Sequence, residues 1–92
     1  MKIIWTRTAS TDLDNLVDYI SEDSPTYANV FAVEILNVVD QLRDFPRSGR
    51  VVPEYQQENV RESLVGNYRI IYEITASVLR ILTIVHGTRL LR

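Results

Sequence analysis

VRESLVGNYRIIYEITASVLRILTIVHGTR, residues 60–89, divides into three β runs. They cover 60–65, 68–75 and 78–86, each rich in Val, Ile, Leu or Tyr. Gly66-Asn67 separates the first two. Both residues accept positive φ, and such a two-residue turn matches the twist of the strands it joins. Ala76-Ser77 is a poorer turn, but it lies between two clear strands. Tight turns at both places pair 65 with 68, 63 with 70 and 61 with 72 in the first hairpin. In the second they pair 75 with 78, 73 with 80 and 69 with 84.

Side chains alternate along a strand, so this register sorts them onto two faces. Val65, Tyr68, Ile70, Tyr72, Ile74, Leu79, Ile81 and Val85 form an apolar face that requires cover. Val60, Glu62, Leu64, Arg69, Ile71, Glu73, Arg80, Leu82, Ile84 and His86 form the other, apolar in the middle and charged around it. Glu73 and Arg80 fall opposite one another as a cross-strand ion pair. Arg69 and His86 fall on one face near one end, with Glu62.

The cover comes from the first half of the chain. KIIWT, residues 2–6, is a short strand suited to a sheet edge. Thr8 reads as a helix N-cap, followed by apolar positions at Ala9, Leu13, Leu16, Val17 and Ile20. Ser24-Pro25 restarts a helix, with Ser as cap and Pro at the first helical position. Its stripe is Ala28, Phe31, Ala32, Ile35, Leu36, Val39 and Leu42. Val30, Val33 and Val38 lie outside that stripe, so surface is left for a partner. Phe45-Pro46 stops the helix. Residues 46–59 are one long connection, in which Arg47 and Arg50 flank Ser48-Gly49. Two guanidinium groups and backbone N–H groups there would suit an anion, or the segment is an ordinary solvated turn. The order is β-α-α-β-β-β: an α+β fold with a helical hairpin packed on a small, mostly antiparallel sheet, read as a single domain over 1–92.

Composition narrows the chemistry. The 92 residues contain no cysteine and one histidine. A disulfide framework and the usual zinc sites are thereby excluded, and nothing calls for a metal or cofactor. No apolar run approaches the roughly 20 residues of a membrane helix. MKIIWTRT is too quickly polar for a secretory signal, so a cytoplasmic protein with no membrane partner is expected. Net charge is −2, divided unevenly: residues 1–44 carry −5, and residues 45–92 carry +3, from seven arginines against four glutamates. Arginine's planar fork binds carboxylate and phosphate, so the sheet half is the expected anion-binding part.

Familiar catalytic motifs are missing: there is no GxSxG, HExxH, P-loop or glycine-rich dinucleotide turn. The remaining constellation is Arg69, His86 and Arg89 with Glu62. It would suit a metal-free ribonuclease, with His86 as general acid or base, arginine on the phosphate and Glu62 as base. Each residue also has a structural reading. His86 would cap the turn before Gly87, and Arg69 and Glu62 would pair with each other.

FPRSGRVVPEY, VRE, YRIIYEI and IVHGTRLL, in this order, resemble the RelE/ParE superfamily of bacterial type II toxins, as does DLDNLVDYI before them. The resemblance runs from Trp5 to Leu91 and implies the β-α-α-β-β-β fold. It also implies a toxin neutralised by a cognate antitoxin whose C-terminal segment folds on binding. Arg69 matches the arginine of the YR element, Arg61 and Glu62 match VRE, and His86 and Arg89 match HGxR. The ParE-like branch poisons DNA gyrase; the RelE-like branch cuts mRNA on the ribosome with basic residues on the sheet and an aromatic or basic residue near the C-terminus. Lys2 is the only lysine and no aromatic follows His86, which favours gyrase over an RNA cleaver. In that branch Arg47, Arg50, Arg61, Arg69, His86 and Arg89 are binding residues; in the other, Arg69, His86 and Glu62 are catalytic.

Overall fold

A computed structural model describes residues 1–91. The elements are β1 (Lys2–Trp5), α1 (Arg7–Asp23), α2 (Pro25–Leu42), β2 (Arg50–Val51), β3 (Val60–Val65), β4 (Tyr68–Ile74) and β5 (Val78–His86). One five-stranded sheet has the order β1-β5-β4-β3-β2. Strand β1 takes the edge beside β5 and runs parallel to it; the other pairings are antiparallel. This is the expected α+β arrangement, with β2 added inside the long connection. No helix among the described residues is long and apolar enough to cross a membrane.

The first hairpin has the register counted from Gly66-Asn67: Val65 faces Tyr68, Ser63 faces Ile70 and Arg61 faces Tyr72. Gly66 takes φ +56°, the left-handed conformation the turn needs. The second hairpin begins as counted, with Glu73 opposite Arg80, and then departs. Tyr72 faces Ile81, but Ile71 faces Thr83, so Leu82 has no partner. This β-bulge inserts one residue and exchanges the faces of everything after it. Arg69 therefore faces Val85, not Ile84, and His86 faces Tyr68.

The first helix fixes the bulge. Thr6, not Thr8, is the N-cap of α1: its hydroxyl accepts from the Ala9 N–H at 3.1 Å and donates towards the carbonyls of Ile81 and Leu82. One turn on, the Asp12 carboxylate accepts from the Thr83 hydroxyl and from the Ile84 N–H at 3.1 Å. The bulge is thus built into the junction between helix and sheet. Ser24 caps α2 with Pro25 at its start, as the sequence indicates.

Between helices and sheet lies the main core: Ala9, Phe31, Ile35, Val39 and Leu42 against Val65, Ile70, Tyr72, Ile74, Leu79, Ile81 and Ile84. Two stripe positions differ from expectation. Leu36 is half exposed and Val38 packs against the core. Ile84 enters the core in place of Val85 because of the bulge. Behind the sheet a smaller cluster joins Val52, Val60 and Ile71, with Leu82 and Leu91 against it.

Candidate functional site

Arg69 lies on the back of the sheet, and its guanidinium is enclosed. The residue is 4% exposed and its neighbour Glu62 is 1% exposed. Nε donates to Glu62 Oε1 at 2.8 Å, and Nη2 lies 2.6 Å from the same oxygen. The two terminal nitrogens also grip Glu54 in bidentate fashion, both at 2.8 Å. The remaining Nη1 hydrogen goes to the carbonyl of Arg89 at 2.9 Å. A guanidinium has five N–H donors; four make hydrogen bonds here, and Nη2 also lies in ion-pair contact with Glu62.

Glu54 completes the clamp. It leaves the 50s connection to meet Arg69 and accepts a second bond from the Leu91 N–H at 3.1 Å. Arg69's hydrogen bonds, then that of Leu91, hold its carboxyl down to about 2 from 4.5. The same contacts raise the pKa of Arg69, with Glu54 the larger cause, against the opposing effect of burial. Glu62 is held from its other side by Arg50 Nε. Two carboxylates and two guanidinium groups thus neutralise one another, and they tie β3, β4, the 50s connection and the segment after β5 into one assembly.

Two further arginines of the sheet half, Arg61 and Arg47, have partners as well. Arg61 donates to the carbonyls of Glu58 at 3.0 Å and Gly49 at 2.9 Å, and its guanidinium pairs with the Glu58 carboxylate. Arg47 makes a looser contact to Glu58 at 3.3 Å, in the open. Arg47 and Arg50 therefore point to different carboxylates and do not converge on one anion. Tyr72 secures the turn between them, donating to the Pro46 carbonyl at 2.8 Å while accepting from the Gly49 N–H at 3.0 Å. Burial pushes the Tyr72 phenol upward. Gly49 has no space for a side chain: a Cβ would fall on the Tyr72 hydroxyl and 2.5 Å from the Glu62 carbonyl oxygen.

His86 stands apart from this assembly. It is on the helix-facing side of the sheet, edge-on to Tyr68 at 5.5 Å between ring centroids, and Tyr68 in turn meets Phe31 at 5.2 Å. Its Nδ1 accepts from the Thr88 N–H at 3.3 Å and lies 2.8 Å from the Thr88 hydroxyl. The expected triad of Arg69, His86 and Glu62 on one face is not assembled, because the bulge at Leu82 turns His86 away. Arg89 meets Arg69 through its carbonyl alone. Its exposed side chain lines a cleft of about 700 Å³ with Thr8, Asp12, Tyr55, Thr83 and Val85. Sequence reasoning missed Glu54, fifteen residues from its partner. The one available signal was an acid between Pro53 and Tyr55 in a connection that also carries Arg47 and Arg50. Among the described residues no group of three or more His, Asp or Glu is placed to hold a metal.

The family model of the ParE toxin of the type II toxin–antitoxin system parDE matches residues 3–91. The chain is 32% identical over 89 residues to a protein of Caulobacter vibrioides named toxin RelE2, covering 97% of this chain and 98% of that one. Its structure resembles one from the chromosomal ParDE toxin–antitoxin system of P. aeruginosa. That match has a TM-score of 0.76 at 25% identity and covers 94% of this chain and 95% of that chain. The likeness in fold extends to the RelBE2 toxin–antitoxin complex of Mycobacterium tuberculosis, with a TM-score of 0.62 at 21% identity and coverage of 92% and 95%. Matched almost from end to end, the chain belongs to the ParE toxin family of type II toxin–antitoxin systems.

Proposed function

We propose that this toxin acts by binding and inhibiting DNA gyrase, without chemistry of its own, and that a cognate antitoxin neutralises it. The observation that carries the reading is the closed clamp around Arg69. An arginine that stabilises a cleaving phosphodiester needs free donors aimed at the phosphate. Four donors of Arg69 are hydrogen-bonded to protein oxygens, and Nη2 is in ion-pair contact with Glu62 as well. Two carboxylates beside it would also repel a phosphate. Glu62, the other proposed catalytic group on this face, is buried between two arginines and has no path to a substrate hydroxyl. The antitoxin reading is supported by the toxin–antitoxin complexes among the structural relatives.

A second reading, a ribosome-dependent mRNA endoribonuclease, is favoured by one observation: the relative at 32% identity carries the name RelE2. Pulse labelling after induction without antitoxin separates the two. The gyrase reading expects DNA synthesis to stop in the first minutes, ahead of protein synthesis. Translation stopping first while DNA synthesis continues would overturn it.

A further inference from the structure

The sheet has two edges, and they differ in how much backbone they leave open. Strand β2 is two residues long and is followed closely by Pro53, so it offers little to a further strand. Strand β1 is four residues long, with no proline or bulge, and its one charge, Lys2, stands at its start. It pairs on one side only, with β5. The N–H groups of Lys2 and Thr6 donate to the carbonyls of Ser77 at 3.3 Å and Ile81 at 3.1 Å. Backbone groups alternate in direction along a strand, so Ile3 and Trp5 aim theirs at the open side. Among the described residues no strand or loop meets them there.

Both faces of this edge are apolar. On the helix side, Ile3 and Trp5 line a groove of about 270 Å³ with Leu36, Val39, Asp40 and Arg43 of α2. On the back, Ile4 lies beside Arg80 in the ladder and is 37% exposed.

We propose that β1 pairs antiparallel with β1 of a second copy of this chain, joining two five-stranded sheets into one continuous sheet. The open backbone groups fix the register. Ile3 exchanges both its hydrogen bonds with Trp5 of the second copy, and Trp5 does the same with Ile3 of the second copy. The two-fold axis then passes through Ile4, so the contact is isologous. The two Ile4 side chains meet at a non-hydrogen-bonded position, where opposite side chains come closest, and cover each other. On the helix side, Trp5 of each copy comes beside Ile3 of the other, next to the groove that Leu36 lines. The charges agree with this register. Lys2 falls opposite Thr6 of the second copy, and the two Arg80 positions are separated by both β1 strands, roughly 14 Å at the usual strand spacing. A second copy supplies every matching group by symmetry, whereas another protein would have to carry them in its own sequence. An edge of four residues buries less than a standard interface, so the dimer is reversible and depends on concentration. The pairing leaves the clamp around Arg69 uncovered, because β3 and β2 lie towards the opposite edge, and it holds whichever target the toxin has.

The test is analytical ultracentrifugation of the full chain over a range of concentrations, with variants at Ile4. The chain contains no cysteine, so Ile4→Cys introduces a single thiol. Paired Cα atoms about 4.5 Å apart at the axis are within disulfide range. Mild oxidation should trap Ile4→Cys as a covalent dimer, at least tenfold faster than Tyr19→Cys, whose thiol would sit on the exposed face of α1. Ile4→Lys sets two ammonium groups against each other and should weaken association at least tenfold, since like charges directly opposite destabilise a strand pair. Circular dichroism and melting confirm that the variants fold. A wild-type chain that sediments as a monomer at every concentration overturns the inference. So does a dimer that Ile4→Lys leaves intact, or one that traps Tyr19→Cys as readily as Ile4→Cys, because it uses another surface. Hydrogen exchange at the Ile3 and Trp5 amides identifies the occupant. Protection that rises with chain concentration supports the dimer; protection that appears only with the product of the adjacent reading frame gives the edge to that partner and overturns it.

Discussion

Behind the sheet, Arg50, Arg69, Glu54 and Glu62 close on one another; across the helical layer, Asp14, Asp18, Glu22 and Glu34 close on no base among the described residues. In the basic half of the chain, by composition the expected seat of anion chemistry, Arg47, Arg50, Arg61 and Arg69 are each paired with a carboxylate. The acidic half, which composition marks as ordinary surface, leaves Asp14, Asp18, Glu22 and Glu34 without an ion-pair partner among the described residues, in a layer that also exposes Val30 and Val33. Net charge per segment thus says where charges are, and pairing decides which of them remain for a partner. A charge already satisfied within the fold contributes to stability and register; an unsatisfied one beside apolar surface contributes to recognition.

The sharpest way to break this contrast is to remove the centre of the clamp. Arg69→Met leaves Glu62 buried with one partner fewer and frees Glu54 and the segment after β5. It should lower the unfolding free energy by about 3 kcal/mol or more, measured by urea denaturation. A loss under about 1 kcal/mol would mean that the clamp is incidental to the fold. Next in size is Gly49→Ala, which drives a methyl group against the Tyr72 hydroxyl and the backbone of Glu62. The expected cost is about 1–3 kcal/mol in the same experiment, and Tyr72→Phe should relieve part of it.

Acid probes the clamp without mutation. The Glu54 carboxyl is depressed from 4.5 to about 2 in the folded chain, so the folded form binds that proton less readily than the unfolded form. Its contribution is therefore complete above about pH 4.5 and is lost as pH falls towards 2. Urea midpoints of the wild-type chain should drop across that window, and those of Glu54→Gln should drop less. Equal slopes would contradict the assignment. The smallest effect marks the edge of the contrast. Arg47 meets Glu58 in the open at 3.3 Å, and Arg47→Ala should change stability by no more than about 0.5 kcal/mol.

Much of the fold was legible because local signals agreed. Gly66-Asn67 fixes the β3–β4 register, and Ser24-Pro25 fixes the start of α2. The bulge was not legible, since Ile81, Leu82, Thr83, Ile84 and Val85 offer no polar alternation that would expose a slip of one residue. What sets it is a contact seventy residues away in sequence, from Asp12 and Thr6 to β5. That slip decided the candidate site. It carried His86 to the helix side and left Arg69 with Glu62, so the triad expected on one face became a clamp on one face and an aromatic pair on the other. The Arg69–Glu62 pairing was open to inference from register alone. Glu54 was not, because the path of a long connection across a sheet has no periodic signature.

The most direct test of the structural role of Arg69 is cleavage of mRNA by the purified chain in a ribosome-containing mixture, run beside Arg69→Lys and alongside urea unfolding of both proteins. A committed, structural guanidinium predicts no cleavage by the wild-type chain and a clear loss of stability in Arg69→Lys, because an ammonium group cannot hold Glu54 and Glu62 together. Cleavage by the wild-type chain, abolished in an Arg69→Lys protein that unfolds at the same urea concentration, would contradict the account and return Arg69 to the chemistry.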